Sequence, residues 1–297
     1  MTFGNRKIQY FSESVSPISE KWDCIITPRR NWFDIDLKGL WQYRYLGYMY
    51  VKRNFITQYR QTILGPLWFF IQPIFTIIVY MFIFGGLAGI STEGVPQPLF
   101  YMAGILFWNY FSDCFMSSSN VFVTNAQIFG KVYFPRLIVP ISGLFSALFK
   151  FAVQAVLFVI IYVWCLSVNS DISVNLSLLL LPLLILMLAL HAFSWGLLVS
   201  SATYKYRDLQ IMISFVMQLF MYATPVVYPL ETIPEKYKDL VSLNPLSAIF
   251  ETFRYGAFNV GVLDWGGLLY SFIFLLVVLY ASILLFNRVE RNFMDTV

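Results

Sequence analysis

Two charged residues in an apolar stretch have the type and spacing to act on one another. Glu251 and Arg254 stand three positions apart within residues 243–258, so on a helix they share a face and can pair. The stretch is too short and too charged to be an ordinary membrane span, and charges at membrane depth tend to face a bundle interior or a pathway. The pattern predicts a re-entrant hairpin with an internal ion pair. The alternative is a helix lying flat on the membrane, with both charges in headgroup water.

The remaining polar residues do not form the catalytic or metal-binding patterns that soluble enzymes use. The sequence offers no Ser/His/Asp set in a plausible location and no metal-ligand spacing, and its three cysteines are isolated. The Gly130–Lys131 pair lacks the glycine pattern of a phosphate-binding loop, and the lone His191 lies inside an apolar run. We therefore expect no catalytic site, no metal and no cofactor in this chain.

Composition and charge placement indicate a membrane protein. Of the 297 residues, 59% are hydrophobic and only 12% are charged, whereas charged residues make up about a quarter of a soluble domain. The net charge of +4 does not indicate nucleic-acid binding, because the basic residues cluster beside apolar spans. These features predict an all-α polytopic membrane protein.

Six apolar spans account for the distribution of charge. Lys52, Arg53 and Arg60 precede the first span, and no Lys or Arg follows it until Lys131, which puts the amino terminus inside. No signal peptide is evident, and both termini are predicted to be cytoplasmic. The predicted spans lie at about 67–86, 99–123, 137–166, 176–201, 209–229 and 262–286, in a domain 64–288 between tails 1–36 and 289–297.

Residues 37–63 are predicted to form an amphipathic helix just before the first span. Leu37, Trp41, Tyr45 and Tyr48 recur at helical spacing, with basic residues between them. This pattern is typical of a helix lying in the membrane interface. A cytoplasmic helix packed against a partner is the alternative, and the two placements are compatible.

The second predicted span is unusually polar, and the third contains a lysine. Asn109, Ser112 and Asp113 lie among aromatic residues in the second span, so one face of this helix must look into protein or a channel. Lys150 in the third span can either snorkel to the interface or face the interior. The sequence does not decide between these two orientations.

Four stretches resemble the permease subunit of type-2 ABC exporters, which move lipid-linked polysaccharides such as O-antigen, teichoic acid and capsule. They occur in the family's order and spacing and cover most of residues 53–258. The stretches are RNFITQYRQTILGPLWFFIQP (53–73), KVYFPRLIVPIS (131–142), SSATYKYRDLQIMISFVMQLFMYATPVVYP (200–229) and NPLSAIFETFRYGAF (244–258).

The resemblance implies a homodimer of permeases in the bacterial cytoplasmic (inner) membrane, with two ATPase subunits that carry ATP and Mg²⁺. It implies a channel along the dimer interface, lined largely by spans one, two and five, and a polyprenyl-pyrophosphate-linked polysaccharide as substrate. It also implies a coupling helix between spans two and three that receives the movement of the ATPase. The corresponding residues here are Asn125, Phe129, Lys131, Tyr133, Phe134, Pro135 and Arg136.

A saccharide presents hydroxyl groups and apolar C–H faces, so its pathway needs aromatic platforms and small hydrogen-bonding groups. Spans two and five supply both kinds of residue, although ordinary packing or a membrane-interface belt would use the same aromatic residues. The channel candidates are Trp108, Asn109, Tyr110, Phe111, Ser112, Phe215, Phe220, Tyr222 and Thr224.

Arg53 and Arg60, at the start of the membrane domain, are candidates for recognising the lipid pyrophosphate, since arginine suits phosphate. The positive-inside rule alone also accounts for basic residues at this position. Two other functions stay open at this point. One is a type-2 exporter of a smaller lipid or drug; the other is a membrane-embedded glycosyl or acyl transferase, which would have to use Asp113 or His191.

Overall fold

A computed structural model describes residues 37–60, 62–132, 134–168, 173–203 and 208–293. Within these ranges the chain is helical, without β-strands, which confirms the predicted all-α class. The predicted tail 1–36, Tyr133 of the coupling segment and the last four residues lie outside the described residues.

The described residues form eleven α-helices. In chain order they are α1 (Leu37–Gln42), α2 (Arg44–Tyr59), α3 (Trp68–Tyr80), α4 (Gln97–Ser119), α5 (Val121–Phe129), α6 (Ile138–Val168), α7 (Leu181–Thr203), α8 (Leu209–Tyr222), α9 (Glu235–Ser242), α10 (Pro245–Phe258) and α11 (Trp265–Phe293). Short 3₁₀ turns precede α3 (Gly65–Leu67) and α7 (Leu176–Leu180), and a π-helical stretch, Met81–Leu87, extends α3.

Among the residues that the structure describes, four helical segments are long and apolar enough to cross a membrane, by length and composition. A bilayer core of about 30 Å needs roughly 20 apolar residues in a helix, and each of the four segments exceeds that length. They correspond to the first, third, fourth and sixth predicted spans. The segments are Gly65–Leu87, Ile138–Val168, Leu176–Thr203 and Trp265–Glu290.

The second predicted span is α4, the central helix of the protein. It is 23 residues long, and its polar residues keep it out of the group of strongly apolar segments. It packs against α6 and α7, and nearly every residue from Leu99 to Phe111 is buried. Because protein surrounds this helix, its composition does not have to suit lipid.

The fifth predicted span is shorter in the structure than in the prediction. Helix α8 has 14 residues, which at 1.5 Å per residue gives about 21 Å, and it ends at Tyr222 instead of continuing to residue 229. Proline cannot continue a helix, and Pro225 and Pro229 follow its end. The chain turns back there, and Val226 and Val227 become fully buried.

Helix α10 is an interior helix. Asn244 caps its amino terminus by accepting a hydrogen bond from the Leu246 amide, and the Phe253 ring stacks on Phe107 of α4 with centroids 4.1 Å apart. Glu251 is 8% exposed and Arg254 is 3% exposed. A helix lying flat with both charges in headgroup water is therefore inconsistent with the structure.

Helix α2 runs alongside the first half of α6, in the same direction. Asn54 contacts Ser146, and further along the pair the rings of Phe55 and Phe149 meet edge to face at 4.8 Å. The side of α2 that carries Tyr45 and Tyr48 is exposed, as is Trp41 of α1. These aromatic residues are free for membrane or partner contact, and the interfacial placement stays a prediction.

The turn after α8 is fitted against a glycine of α4, and this packing predicts a large effect of a small substitution. A Cβ at Gly104 would overlap the carbonyl oxygen of Val226, a backbone atom that cannot rotate away. Gly104→Ala should therefore lower the free energy of unfolding by about 1–3 kcal/mol. Thermal unfolding in detergent, followed with a thiol-reactive dye that detects the buried Cys114 and Cys165, measures the loss.

Gly47 in α2 provides the matched control. A Cβ there would lie 3.6 Å from the nearest atom, a methyl carbon of Ile138, which is ordinary packing distance. Gly47→Ala should be neutral or slightly stabilising, because alanine favours a helix over glycine. Equal melting temperatures for the two variants would show that the α4 contact with the turn is not tight.

Candidate substrate pathway and coupling segment

Aromatic side chains from three helices form one cluster beside α4. Trp108 and Phe111 of α4 both contact Phe220 of α8, with ring centroids 6.0 and 6.3 Å apart. Trp195 of α7 lies 5.3 Å from Phe220 and meets Phe111 edge to face at 5.9 Å. Three of the predicted channel residues therefore come together, but as a packed cluster that joins α8 to the core.

Two further channel candidates have structural contacts. The ring of Tyr110 lies 5.0 Å from Phe151 of α6, on a different side of α4 from the cluster. Thr224 is fully buried and accepts a hydrogen bond of 2.9 Å from the Asn244 side chain, which fastens the turn after α8 to the start of α10. For Tyr110 and Thr224, packing accounts for the position.

The remaining channel candidates lie on accessible surfaces. Phe215 is 60% exposed and Tyr222 is 44% exposed, both on the outer face of α8. Asn109 and Ser112 of α4 are half-buried. Phe220 is also half-buried, so five of the nine candidates, these four and Phe220, are at least partly accessible.

The exposed sides of α3 and α8 are mainly apolar; the exposed polar residues are Gln72 on α3 and Ser214 and Gln218 on α8. The two helices meet where the Tyr80 hydroxyl lies 3.4 Å from the sulfur of Met221. Their outward faces are uncovered by the rest of the chain in the described residues. The large exposed residues are Trp68, Ile74, Phe75, Ile78 and Val79 on α3, and Ile211, Met212, Phe215, Val216, Leu219 and Tyr222 on α8.

Glu251 and Arg254 form the ion pair that their spacing suggests. A guanidinium nitrogen of Arg254 donates to Glu251 Oε1 at 3.0 Å. The same guanidinium donates to the carbonyl oxygens of Val226 at 2.8 Å and Tyr228 at 3.1 Å, and it lies 4.3 Å above the Phe100 ring. Arg254 thus holds the non-helical turn after α8 in place, a role that the sequence did not indicate.

The structure also decides the orientation of Lys150. Its ammonium nitrogen lies 2.8 Å from a carboxylate oxygen of Asp113 on α4, so Lys150 faces the protein and does not snorkel. Asp113 and Lys150 lie on different helices, 37 residues apart in the chain, so no local pattern in the sequence indicates their pairing.

Three of the residues predicted for coupling anchor the segment after α5. Phe129 and Phe134 are buried with ring centroids 5.8 Å apart, and Phe134 also contacts Tyr50 of α2 at 6.2 Å. Arg136 lies over the Phe129 ring at 5.2 Å and donates a 3.0 Å hydrogen bond to the Glu290 carbonyl of α11. The segment is therefore connected to both α2 and α11.

The accessible side of this region consists of other residues. Asn125 is buried and donates to the Val121 carbonyl in its own helix, and Pro135 is half-buried. Among the predicted coupling residues that the structure describes, Lys131 is exposed, together with Thr124 and Gln127 of α5. Thr124 and Gln127 are three residues apart and share a face of α5, and Lys131 lies two residues beyond the end of this helix.

Arg53 and Arg60 both project from the last turns of α2 and are exposed. Arg53 lies 4.4 Å above the Tyr50 ring and contacts the Asn54 side-chain oxygen at 3.4 Å. The two arginines are seven residues apart, two helical turns, so they share a side of the helix. An anionic group outside the protein can reach this side.

The described residues contain no group of three or more His, Cys, Asp or Glu side chains that could hold a metal ion. His191 is fully buried, and its Nδ1 lies 2.9 Å from the Met187 carbonyl oxygen. Its ring lies near those of Trp195 and Phe274, so it occupies a packed interior position.

Comparison with known proteins identifies a matching family and several similar proteins. Residues 46–258 match the family described as ABC-2 type transporter. The chain is 24% identical over 257 residues to the O-antigen export system permease protein RfbA of Klebsiella pneumoniae, covering 84% of this chain and 96% of that protein. The Myxococcus xanthus protein of the same name is 24% identical over 264 residues (88% and 98%). The polysialic acid transport protein KpsM of Escherichia coli is 22% identical over 242 residues (80% and 91%).

Proposed function

The chain belongs to the ABC-2 type transporter family, and we propose that it is the channel-forming subunit of an ATP-driven exporter of lipid-linked polysaccharide. The observation that carries the proposal is similarity to O-antigen and polysialic acid transport proteins over 80% or more of this chain. The substrate would be a polyprenyl-pyrophosphate-linked polymer, moved across the bacterial cytoplasmic membrane.

We further propose six membrane crossings with both termini in the cytoplasm. Four crossings are the long apolar segments, and α4 and α8 supply the other two. At 23 residues, α4 spans about 34 Å, enough for a bilayer core, and its polar residues are shielded by α6 and α7. The short α8 needs the turn after it to complete the crossing, and α10 would enter from the outer side as a re-entrant helix. The burial of Glu251 and Arg254 in α10 supports the re-entrant placement, since charges at membrane depth require protein around them.

A second copy of the chain would cover the apolar sides of α3 and α8. Large apolar patches on a protein mark lipid or protein contacts, and a channel between two copies requires such a surface. Phe215 and Tyr222 project from this side, and rings of this kind offer platforms for the C–H faces of sugars. Ser112 would add a hydrogen-bonding group.

Two ATPase subunits, carrying ATP and Mg²⁺, would bind the coupling segment. The exposed residues Thr124, Gln127 and Lys131 would form the contact, while buried Phe129 and Phe134 pass its movement to α2. Arg53 and Arg60 would bind the pyrophosphate of the lipid carrier. Their exposure on one side of α2 supports this assignment, since guanidinium groups bind phosphate oxygens in pairs.

A membrane-embedded transferase receives no support from these positions. His191 is fully buried, and Asp113 forms an ion pair with Lys150. Neither side chain is therefore positioned to act as a general acid or base on a substrate. A type-2 exporter of a smaller lipid or drug would share the architecture and is an outcome of the test below.

A mild-detergent pull-down of the tagged chain from its native membrane tests the proposal. Mass spectrometry of the purified complex should find a nucleotide-binding subunit, and ATP hydrolysis should rise when lipid-linked polysaccharide is added. A complex that hydrolyses ATP in response to small lipids but not to the polysaccharide would indicate the smaller-substrate exporter. A chain that purifies without any ATPase would contradict the exporter function.

Removing the exposed rings of α8 should slow export. Phe215→Ala and Tyr222→Ala should each reduce polysaccharide export about 3- to 10-fold, the effect of losing one aromatic contact, with unchanged melting temperature because neither ring is buried. Surface polysaccharide on cells measures export. Phe272→Ala, at a 43% exposed ring of α11, is the control and should export normally. Equal effects at positions 215, 222 and 272 would contradict a pathway along α8.

A further inference from the structure

The contact between α4 and α6 contains a ladder of polar pairs. The Asn109 amide lies 3.5 Å from the Gln154 side-chain oxygen, and Asp113 pairs with Lys150 at 2.8 Å. From the first pair to the second, the position advances by four residues in α4 and goes back by four residues in α6. The two helices are therefore antiparallel, and successive turns of one lie beside successive turns of the other. The next step reaches Ser117 and Ser146, which line one cavity.

The Asp113–Lys150 pair borders this cavity, which has a volume of about 130 Å³. The Asp113 side chain is 36% exposed and the Lys150 side chain is 21% exposed, so both retain access to the cavity. Its lining is mostly polar, and a polar cavity of this size holds several water molecules. Hydration reduces the energy needed to keep two charges within a helical bundle.

Helix α2 contributes Asn54 to the cavity lining. The Asn54 amide contacts Ser146 Oγ at 3.5 Å, and Ser146 donates to the Ser142 carbonyl at 3.0 Å. Near the same level α4 and α6 are in close contact, because a Cβ at Gly143 would overlap Ser117 Oγ. The ion pair therefore stands at a junction of three helices, one of which, α2, contacts the coupling segment through Tyr50.

We propose that Asp113 and Lys150 are positioning residues. Their ion pair fixes the position of α4, along its own axis, relative to α6 and α2. This inference rests on the proposed export function. An apolar contact would also hold two helices together, but it permits sliding, whereas a polar pair within an apolar interface selects one register. Ser112 adjoins Asp113 in the chain and is half-buried. The pair thus also sets the position of this pathway candidate along α4.

The test uses three sets of variants in the complete permease–ATPase complex, reconstituted in proteoliposomes. Asp113→Leu and Lys150→Leu each leave one charge unpaired. The exchanged pair Asp113→Lys/Lys150→Asp restores the ion pair in reverse, and the double variant Asp113→Leu/Lys150→Leu restores packing without it. Polysaccharide exported per ATP hydrolysed is measured together with the melting temperature.

Each single variant should export about tenfold less polysaccharide per ATP, a typical effect of losing coupling between contacting residues. The exchanged pair should recover to within about threefold of wild type. The double leucine variant should melt near the wild-type temperature, since a partly exposed ion pair contributes little to stability, and yet export poorly per ATP. A double leucine variant that exports like wild type would overturn the proposal, as would an exchanged pair no better than the single variants.

A register measurement separates failure of this inference from failure of the proposed function. Cysteines at Asn109 and Gln154, whose side chains touch in the wild type, are treated with a short bifunctional thiol reagent. Cross-linking should be efficient with the native or exchanged ion pair and at least about threefold weaker in the double leucine background. If the wild type exports no polysaccharide, the proposed function fails whatever the cross-linking shows. If cross-linking is the same in all backgrounds, the positioning role fails even in an active exporter.

Discussion

Replacing Arg254 with methionine is expected to lower the free energy of unfolding by about 3–5 kcal/mol, the usual effect of removing one partner of a buried ion pair. The substitution leaves the carboxylate of Glu251 buried without its cation. It also frees the carbonyl oxygens of Val226 and Tyr228, which Arg254 binds at 2.8 and 3.1 Å. The melting temperature in detergent should fall by about 10 °C, and polysaccharide export should be lost.

The double variant Glu251→Gln/Arg254→Met tests the cause of this loss. Because it removes both charges, it should regain part of the stability that the single variant loses, though not the part that comes from the two carbonyl contacts. Lys236→Met on the exposed surface of α9 is the control, with an expected change within about 0.5 kcal/mol. If Arg254→Met melts like wild type, Arg254 does not hold the turn after α8.

Phe134→Ala is expected to uncouple ATP hydrolysis from export. Phe134 is 4% exposed and packs against Phe129 and Tyr50, with ring centroids 5.8 and 6.2 Å away. Truncating a buried phenylalanine costs about 3–5 kcal/mol, and here the lost contacts join the coupling segment to α2. The complex should still assemble and hydrolyse ATP, while export per ATP falls at least about tenfold.

Lys131→Glu is the matched comparison within the same segment. Lys131 is exposed, so the charge reversal should leave the melting temperature unchanged but weaken co-purification of the ATPase, since rim charges mainly affect association. Pull-down, ATPase rate and export assays on both variants distinguish an anchor from a contact residue. A Phe134→Ala variant with normal stability and export, or a Lys131→Glu variant with normal assembly, would contradict these assignments.

The sequence was sufficient for the class of protein and for most of its helices. Long apolar segments have few structural alternatives, because backbone groups in a membrane must be satisfied within helices or closed barrels. Local spacing also sufficed for one ion pair: Glu251 and Arg254 lie three residues apart on one helix, and the geometry of a helix brings such residues together. The polar composition of α4 predicted that one of its faces would look into protein or a channel, and in the structure α6 and α7 pack against this helix.

The tertiary structure decided what depends on contacts between distant segments. Lys150 faces inward only because Asp113 of α4 lies beside it, and no local pattern encodes that pairing. Phe111 and Thr224 look like pathway residues by type, but packing against α7, α8 and α10 buries them, while Phe215 and Tyr222 remain accessible. The composition of a span determines that it belongs in a membrane, whereas the neighbours it packs against determine which of its side chains can meet a substrate.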